Sequence, residues 1–165
     1  MIANTQAIAA TVLLAALAIP ARGAGTPPAI EAGAAMTSQS ITARPDGQAE
    51  LALALEGAGK LSLGTVTIRF HIACAITDLL AGQRVVEGSG QCLLSATDGG
   101  KATVQFQTNA GVGDAGYLQF NGGTHGFAGV VARIPVVVSV NPYKVAGKKV
   151  FFIETSTDAA QSANF

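Results

Sequence analysis

Charged residues are scarce in this chain of 165 residues: they make up 12 % of it, and the formal net charge is zero. A typical soluble domain has about 25 % charged residues. The even balance argues against a nucleic-acid-binding protein, which would carry a basic excess. Tryptophan is absent, and two cysteines with two histidines leave little room for an ordinary zinc motif. Twenty glycines argue against a helical bundle, and the length fits one domain.

The familiar catalytic and nucleotide-binding motifs are also missing. The chain contains no Gly-x-Ser-x-Gly, no P-loop and no His-Glu-x-x-His. No helical pattern follows any of the glycines, which argues against a dinucleotide-binding motif of the Rossmann type. His71 and His125 lie far apart in sequence, and neither has a carboxylate or a second histidine beside it. We therefore predict neither a metal site nor a cofactor.

An apolar run, AIAATVLLAALAI, occupies residues 7–19 and is broken by Pro20. Ala21-Arg22-Gly23 follows as a small-x-small cleavage signal, so we predict a signal peptide over residues 1–23. The run is shorter than the about 20 apolar residues of a membrane span, and no transmembrane segment is predicted in the mature chain. The predicted location is secreted or periplasmic. The alternative interpretation of the run is a buried N-terminal helix.

Export makes the two cysteines informative, since an oxidising compartment permits a disulfide. Cys74 and Cys92 lie in two predicted strands that flank the turn at residues 80–83. In a hairpin centred on Gln83 they face each other, and opposed residues are about 4.5 to 5.5 Å apart. We predict a Cys74–Cys92 disulfide; the alternative is two buried thiols.

Residue alternation with a period of two runs through most of the chain and indicates strands. The predicted strands cover residues 47–56, 61–77, 84–97, 101–108, 115–121, 127–141 and 148–155. Glycines 57 and 59 are assigned to a turn. The sequence thus predicts an all-β domain over residues 48–156, a single antiparallel closed barrel of about eight strands, because closure removes exposed sheet edges. Residues 24–47 are predicted to be a flexible leader, with an initial strand near residues 37–43 as the alternative, and residues 157–165 a frayed tail.

Four glycine-rich stretches carry a family resemblance: EGSGQC (87–92), ATDGGK (96–101), GYLQF (116–120) and NGGTHGFAG (121–129). Together they resemble the small secreted bacterial barrels related to allene oxide cyclase and dirigent proteins, over about residues 48–141. The resemblance implies an eight-stranded barrel of calycin type that holds an apolar or aromatic small molecule. It further implies cyclisation or coupling without a cofactor, and a homo-oligomer.

Two face assignments are open for the strand around residue 70. Arg69 and His71 share one face, and the Ile/Phe row that contains Cys74 shares the other. In the first assignment, which we prefer, the apolar row points inward and the polar row is solvated. In the second, the polar row lines the lumen.

The second assignment would create a polar-lined cavity whose side chains could take part in a reaction. His71 could act there as a general acid or base, and Arg69 could stabilise a developing negative charge. Tyr117 could donate a hydrogen bond to a substrate oxygen, which completes the predicted catalytic set. The predicted ligand-binding residues are Gln105 and Gln119 on neighbouring strands, and His125 in a loop at the barrel mouth.

The function that we expect is binding of an apolar small molecule by an exported barrel. If the protein is an enzyme, it is a cofactor-independent cyclase or isomerase that holds its ligand in a reactive shape. The alternative is a non-catalytic cell-envelope or interaction protein with a solidly packed barrel. A third class is a sheet-forming adhesive subunit, suggested by the neutral surface.

Overall fold

A computed structural model describes residues 26–108 and 115–156. Each strand pairs antiparallel with the next, and the first pairs with the last, so the sheet closes on itself. The predicted all-β, eight-stranded, closed antiparallel barrel is confirmed. Residues 1–23 and 157–165, the predicted signal peptide and tail, lie outside the described residues. The strands are β1 Ala29–Ala43, β2 Ala49–Leu63, β3 Val66–Ala81, β4 Arg84–Ala96, β5 Lys101–Thr108, β6 Ala115–Asn121, β7 Val131–Val140 and β8 Val150–Thr155.

Strict alternation along β3 defines the inside of the barrel. Ile68, Phe70 and Ile72 are buried, whereas Arg69 and His71 between them are exposed. Successive side chains of a strand point to opposite faces, so the whole apolar row enters the lumen. Among the described residues, every buried side chain is apolar.

Strand β1 is longer than the sequence predicts, since residues 24–47 are assigned to a flexible leader with at most an initial strand near residues 37–43. The structure instead pairs β1 with both β2 and β8, so this strand closes the barrel. Its inward residues include Ala32 and Ala34, which are buried despite their small side chains. Alanine and glycine give little hydrophobic contrast between the two faces, and the alternation is therefore weak in the sequence.

The glycines of β2 also have a role other than the predicted one. Gly57 and Gly59 lie inside β2, and the turn to β3 comes later, at Gly64, which has a φ of 62°. A Cβ at Gly57 would collide with the carbonyl oxygen of Gly33 on β1. Glycine is required here because the two backbones approach closely, not because the chain turns.

A register shift in β1 between Met36 and Ser38 changes which residues point inward. Before the shift, Met36 pairs with Leu55; after it, Gln39 pairs with Leu53. A bulge adds one unpaired residue and reverses the alternation of the strand beyond it. Gln39 consequently joins the inward face near one end of the barrel.

The predicted disulfide is confirmed. Cys74 and Cys92 are directly opposed on β3 and β4, are covalently joined, and have Cα atoms 4.0 Å apart. Their side chains are 5 % and 1 % exposed, so the cross-link lies inside the barrel wall. In the two described ranges, no helix is long and apolar enough to cross a membrane.

The two ends of the barrel are built differently. At one end, the connection from β6 to β7 contains a 3-10 turn over His125–Phe127, and Phe127 is fully buried with its ring centre 6.4 Å from that of Phe70. We call this the closed end. The opposite end, which we call the mouth end, carries the turns β1–β2 and β3–β4 and the loop between β7 and β8. The buried core therefore extends to the closed end of the barrel.

Candidate functional site

The residues that the sequence predicts as catalytic do not enter the lumen. Arg69 and His71 are exposed on the outer face of β3, and Tyr117 is half-buried on the outer face of β6. The first face assignment is confirmed, and the second is wrong because the bulky Ile/Phe row is buried and points inward. Any chemistry at these three side chains would take place on the outer surface of the barrel.

The predicted ligand-binding residues also lie outside the lumen. Gln105 is exposed, and it is directly opposed to the half-buried Gln119 on the next strand. His125 is exposed and has a φ of 52°, in the turn at the closed end rather than at the mouth end. The three residues therefore do not share a cavity.

The outer face around Tyr117 is a connected polar surface. The Tyr117 hydroxyl donates a hydrogen bond to the side-chain oxygen of Gln107. The Arg133 guanidinium lies 3.6 Å from the centre of the Tyr117 ring, a cation–π contact. Gln119 donates to the backbone oxygen of Ala132 at 3.3 Å. These partners occupy both the ring face and the hydroxyl of Tyr117. We interpret the contacts as ones that stabilise the pairing of β6 with β5 and β7.

A cavity of about 430 Å³ lies inside the barrel at the mouth end. Its deep part is lined by buried residues and its outer part by exposed ones, such as Gln83 and Val85, so it connects the core with the surface. The walls come from strands on opposite sides of the barrel. The apolar lining includes Leu53, Leu55, Ile76, Phe106, Val138 and Ile153.

Five polar side chains interrupt this apolar lining: Gln39, Asp78, Gln83, Thr108 and Lys149. Asp78 is the notable one, because burial raises the pKa of its carboxyl above the ordinary value of 3.8. Within the described ranges, the Asp78 carboxyl has no hydrogen-bond or ion-pair partner. Its oxygens are therefore available to a bound molecule.

Sequence reasoning missed Asp78, although a signal for it was present. The residue follows Cys74 and Ile76 at intervals of two and therefore belongs to the inward row of β3. A carboxylate on an otherwise apolar inward row is unusual, because burying a charge costs free energy unless a partner compensates it. The alternation along β3 that assigns the apolar residues to the lumen therefore assigns Asp78 to it as well.

A larger depression of about 630 Å³ lies on the outer face of the sheet. Its floor is formed by Ala52, Ala54 and Ala75, between side chains such as Ser38 and Ser89. Side chains on the outside of one sheet cannot surround a ligand as walls on opposite sides of a barrel can. We therefore take the lumen cavity as the candidate site, although the outer groove has the larger volume.

The candidate site combines apolar walls with a few polar groups. Its walls can hold an apolar body, and Asp78 and Lys149 offer an acceptor and a donor for one polar end. Over residues 26–108 and 115–156, no group of three or more His, Cys, Asp and Glu side chains could hold a metal ion. The titratable groups that line the cavity are one carboxyl and one amine.

Comparisons with protein-family models, curated proteins and solved structures give no match for this chain.

Proposed function

We propose that this protein binds one small, mainly apolar molecule in the lumen cavity at the mouth end. The observation that carries the proposal is an apolar cavity that joins the barrel core to the surface. Its volume of about 430 Å³ falls in the range typical of small-molecule sites, about 300–1,000 Å³. Apolar walls with a few placed polar groups are the usual composition of such sites.

The apolar walls would supply most of the binding free energy. A ligand that buries about 200 Å² of apolar surface gains about 5 kcal/mol at 25 cal/mol per Å². Losses of translational and rotational freedom oppose this gain, so useful affinity also needs the polar groups. The ligand should therefore be amphipathic, with one polar end.

The polar groups favour a neutral polar end on the ligand. Asp78 can accept a hydrogen bond from a hydroxyl or an amide, and Lys149 can donate one. An anionic head group close to Asp78 would be repelled when that carboxyl is ionised. A long-chain alcohol or a neutral aromatic compound with a hydroxyl fits both groups.

The proposal includes export, which rests on the predicted signal peptide at residues 1–23 and on the Cys74–Cys92 disulfide. Disulfides persist in oxidising compartments and are rare in the cytosol. The resemblance to allene oxide cyclase and dirigent proteins agrees with an apolar ligand. A cyclase or isomerase activity stays a prediction from that resemblance, because none of the three predicted catalytic side chains lines the cavity.

A fluorescence titration with N-phenyl-1-naphthylamine, a neutral apolar probe, tests the proposal. Val138 and Val137 are neighbours on β7; Val138 lines the cavity, whereas Val137 faces outward. Val138→Trp should fill the cavity and weaken probe binding at least tenfold. Val137→Trp places the same side chain on the outer face and should leave binding unchanged.

Two results would contradict the proposal. One is a wild-type protein that shows no saturable probe binding, which would favour a packed barrel that acts as an interaction protein. The other is equal binding by both variants, which would place the probe outside the lumen. Thermal unfolding of each variant checks that loss of binding does not reflect loss of folding.

A further inference from the structure

The loop between β7 and β8 is the most basic segment of the mouth end. Residues 141–149, which we call the lysine loop, contain Lys144, Lys148 and Lys149 and no acidic residue. Over the described residues, none of the three lysines forms an ion pair. The loop therefore has a local positive charge in a chain whose formal net charge is zero.

Exposed apolar side chains lie among these lysines. Tyr143 is 79 % exposed, Val145 is 56 % exposed, and Val140 at the end of β7 is 52 % exposed. None of them belongs to the buried core or to the side chains that pack against it. Clustered exposed apolar residues with polar neighbours commonly mark an interaction surface.

Local hydrogen bonds give the lysine loop a defined shape. The Asn141 side chain accepts a hydrogen bond from the backbone N–H of Tyr143 at 2.9 Å. Val145 and Lys148 exchange two backbone hydrogen bonds of 3.0 Å around a tight turn, in which Ala146 has a φ of 50°. These bonds hold the apolar and basic side chains of the turn at the rim of the barrel.

We propose that the lysine loop docks the protein on an anionic lipid bilayer. Lysines near such a surface are attracted to its acidic head groups. Tyrosine is enriched at the level of the head groups, and aliphatic side chains can enter the acyl boundary. Tyr143 and Val145 would insert there, while Lys144 and Lys148 contact the head groups.

The position of the lysine loop links docking to the cavity. Lys149 and Val140 belong to the loop region and also line the cavity. Docking would therefore place the rim of the cavity against the lipid, where an apolar ligand could enter or leave without crossing water. This link rests on the proposed function, whereas the docking itself does not.

A lipid surface fits the loop better than a nucleic acid does. The exposed side chains of Val140 and Val145 can neither hydrogen-bond to nucleic-acid bases nor stack on them. Their transfer from water into an acyl layer is favourable. Nearby Arg44 does not extend the basic surface, because Asp46 lies 3.4 Å and Glu50 lies 3.6 Å from it. Arg84 at the start of β4 is a further exposed cation at the mouth end, three residues before Glu87. The lysine loop is the mouth-end segment that combines several lysines with exposed apolar side chains.

Vesicle co-sedimentation of the exported protein tests the inference. One set of vesicles is pure phosphatidylcholine, and the other contains one third phosphatidylglycerol. We expect binding to the anionic vesicles alone, weakened by high salt because screening reduces attraction between exposed charges. Binding to both sets equally, or to neither, would overturn the inference.

Charge variants locate the docking surface. The Lys144→Glu/Lys148→Glu variant should lower the partition coefficient at least about tenfold, since each basic residue contributes markedly near an anionic surface. The control Lys101→Glu/Arg133→Glu makes the same change in net charge away from the mouth end, at two exposed residues. It should change binding less than about twofold in the same assay. An equal loss in both variants would show that net charge, not the loop, drives binding.

Two further variants test insertion and separate this inference from the proposed function. Tyr143→Ser/Val145→Ser should weaken vesicle binding severalfold with the charges intact; an unchanged partition coefficient would overturn insertion. Val138→Trp should lose the naphthylamine probe and still bind anionic vesicles. Failure of vesicle binding with intact probe binding would reject docking alone, and the converse would reject the lumen ligand alone.

Discussion

Removal of the Cys74–Cys92 cross-link should lower the free energy of unfolding by about 3 kcal/mol. The two cysteines are 18 residues apart in sequence. Closing a loop of that size reduces the entropy of the unfolded chain by about 11 cal/mol/K, which is about 3 kcal/mol at 25 °C. The native hairpin should survive, because β3 and β4 remain paired on both sides of the cross-link.

Urea denaturation of the wild type and two double variants measures this change. Cys74→Ala/Cys92→Ala removes the cross-link and also leaves space, since both side chains are buried. Cys74→Val/Cys92→Val removes the cross-link and keeps the interior filled. We expect a loss of about 3 kcal/mol in the valine variant, a larger loss in the alanine variant, and a higher m-value in both because the unfolded chain exposes more surface. A valine variant within about 1 kcal/mol of an oxidised wild type would refute the loop-entropy argument.

Further predictions concern the carboxyl in the cavity, the closed end, the β1–β2 contact and the outer face. Burial raises the pKa of the Asp78 carboxyl above 3.8. The carboxyl therefore does not lower stability below pH 3.8, and its destabilising effect grows as the pH rises through the raised pKa of the folded protein. Asp78→Asn should raise the melting temperature at neutral pH and leave it unchanged below pH 3.8. Phe127→Ala should cost about 3–5 kcal/mol in urea unfolding, because it removes a fully buried ring from the closed end; a cost below about 1 kcal/mol would contradict that role. Gly57→Ala should lower the free energy of unfolding by about 1–3 kcal/mol, because the added Cβ forces β1 away from β2. A variant as stable as the wild type would contradict the close approach of the two strands. Arg69→Ala and His71→Ala should leave probe affinity unchanged, and a tenfold loss in either would place the ligand on the outer face.

The sequence predicts the barrel where side-chain alternation is strong. Along β3, large apolar residues alternate with polar ones, so period, face and strand type all follow from one pattern. The disulfide follows from symmetry about the β3–β4 turn, and the observed Cys74–Cys92 pairing confirms that register. The register departs from the simple hairpin only at the shift between Leu79 and Leu80, close to the turn.

The sequence does not predict the full strand β1, only an alternative strand near residues 37–43, for two physical reasons. Ala32 and Ala34 fill inward positions because the neighbouring β2 backbone lies close, and small residues hide the contrast between faces. The shift between Met36 and Ser38 then changes the phase of the alternation. A pattern that is both weak and interrupted resembles a leader.

Residue type alone does not reveal the candidate site, because the residues most often used for catalysis lie elsewhere on the barrel. His71, Arg69 and Tyr117 are such residues. Side chains alternate between the two faces of a strand, and these three occupy outward positions. The observed cavity arises where inward side chains near the mouth end leave space between opposite strands. That space depends on tertiary closure of eight strands, which no single strand pattern reveals.

The most direct test of the account is methyl NMR of the protein titrated with N-phenyl-1-naphthylamine. The aromatic probe shifts the resonances of methyl groups that it contacts. We expect saturable shifts at Leu53, Ile76 and Val138 in the cavity, and none at Leu61 near the closed end or at Leu93 on the outer face. Shifts confined to Leu93 and its outer-face neighbours, or no saturable shift at any methyl group, would contradict a ligand site in the lumen.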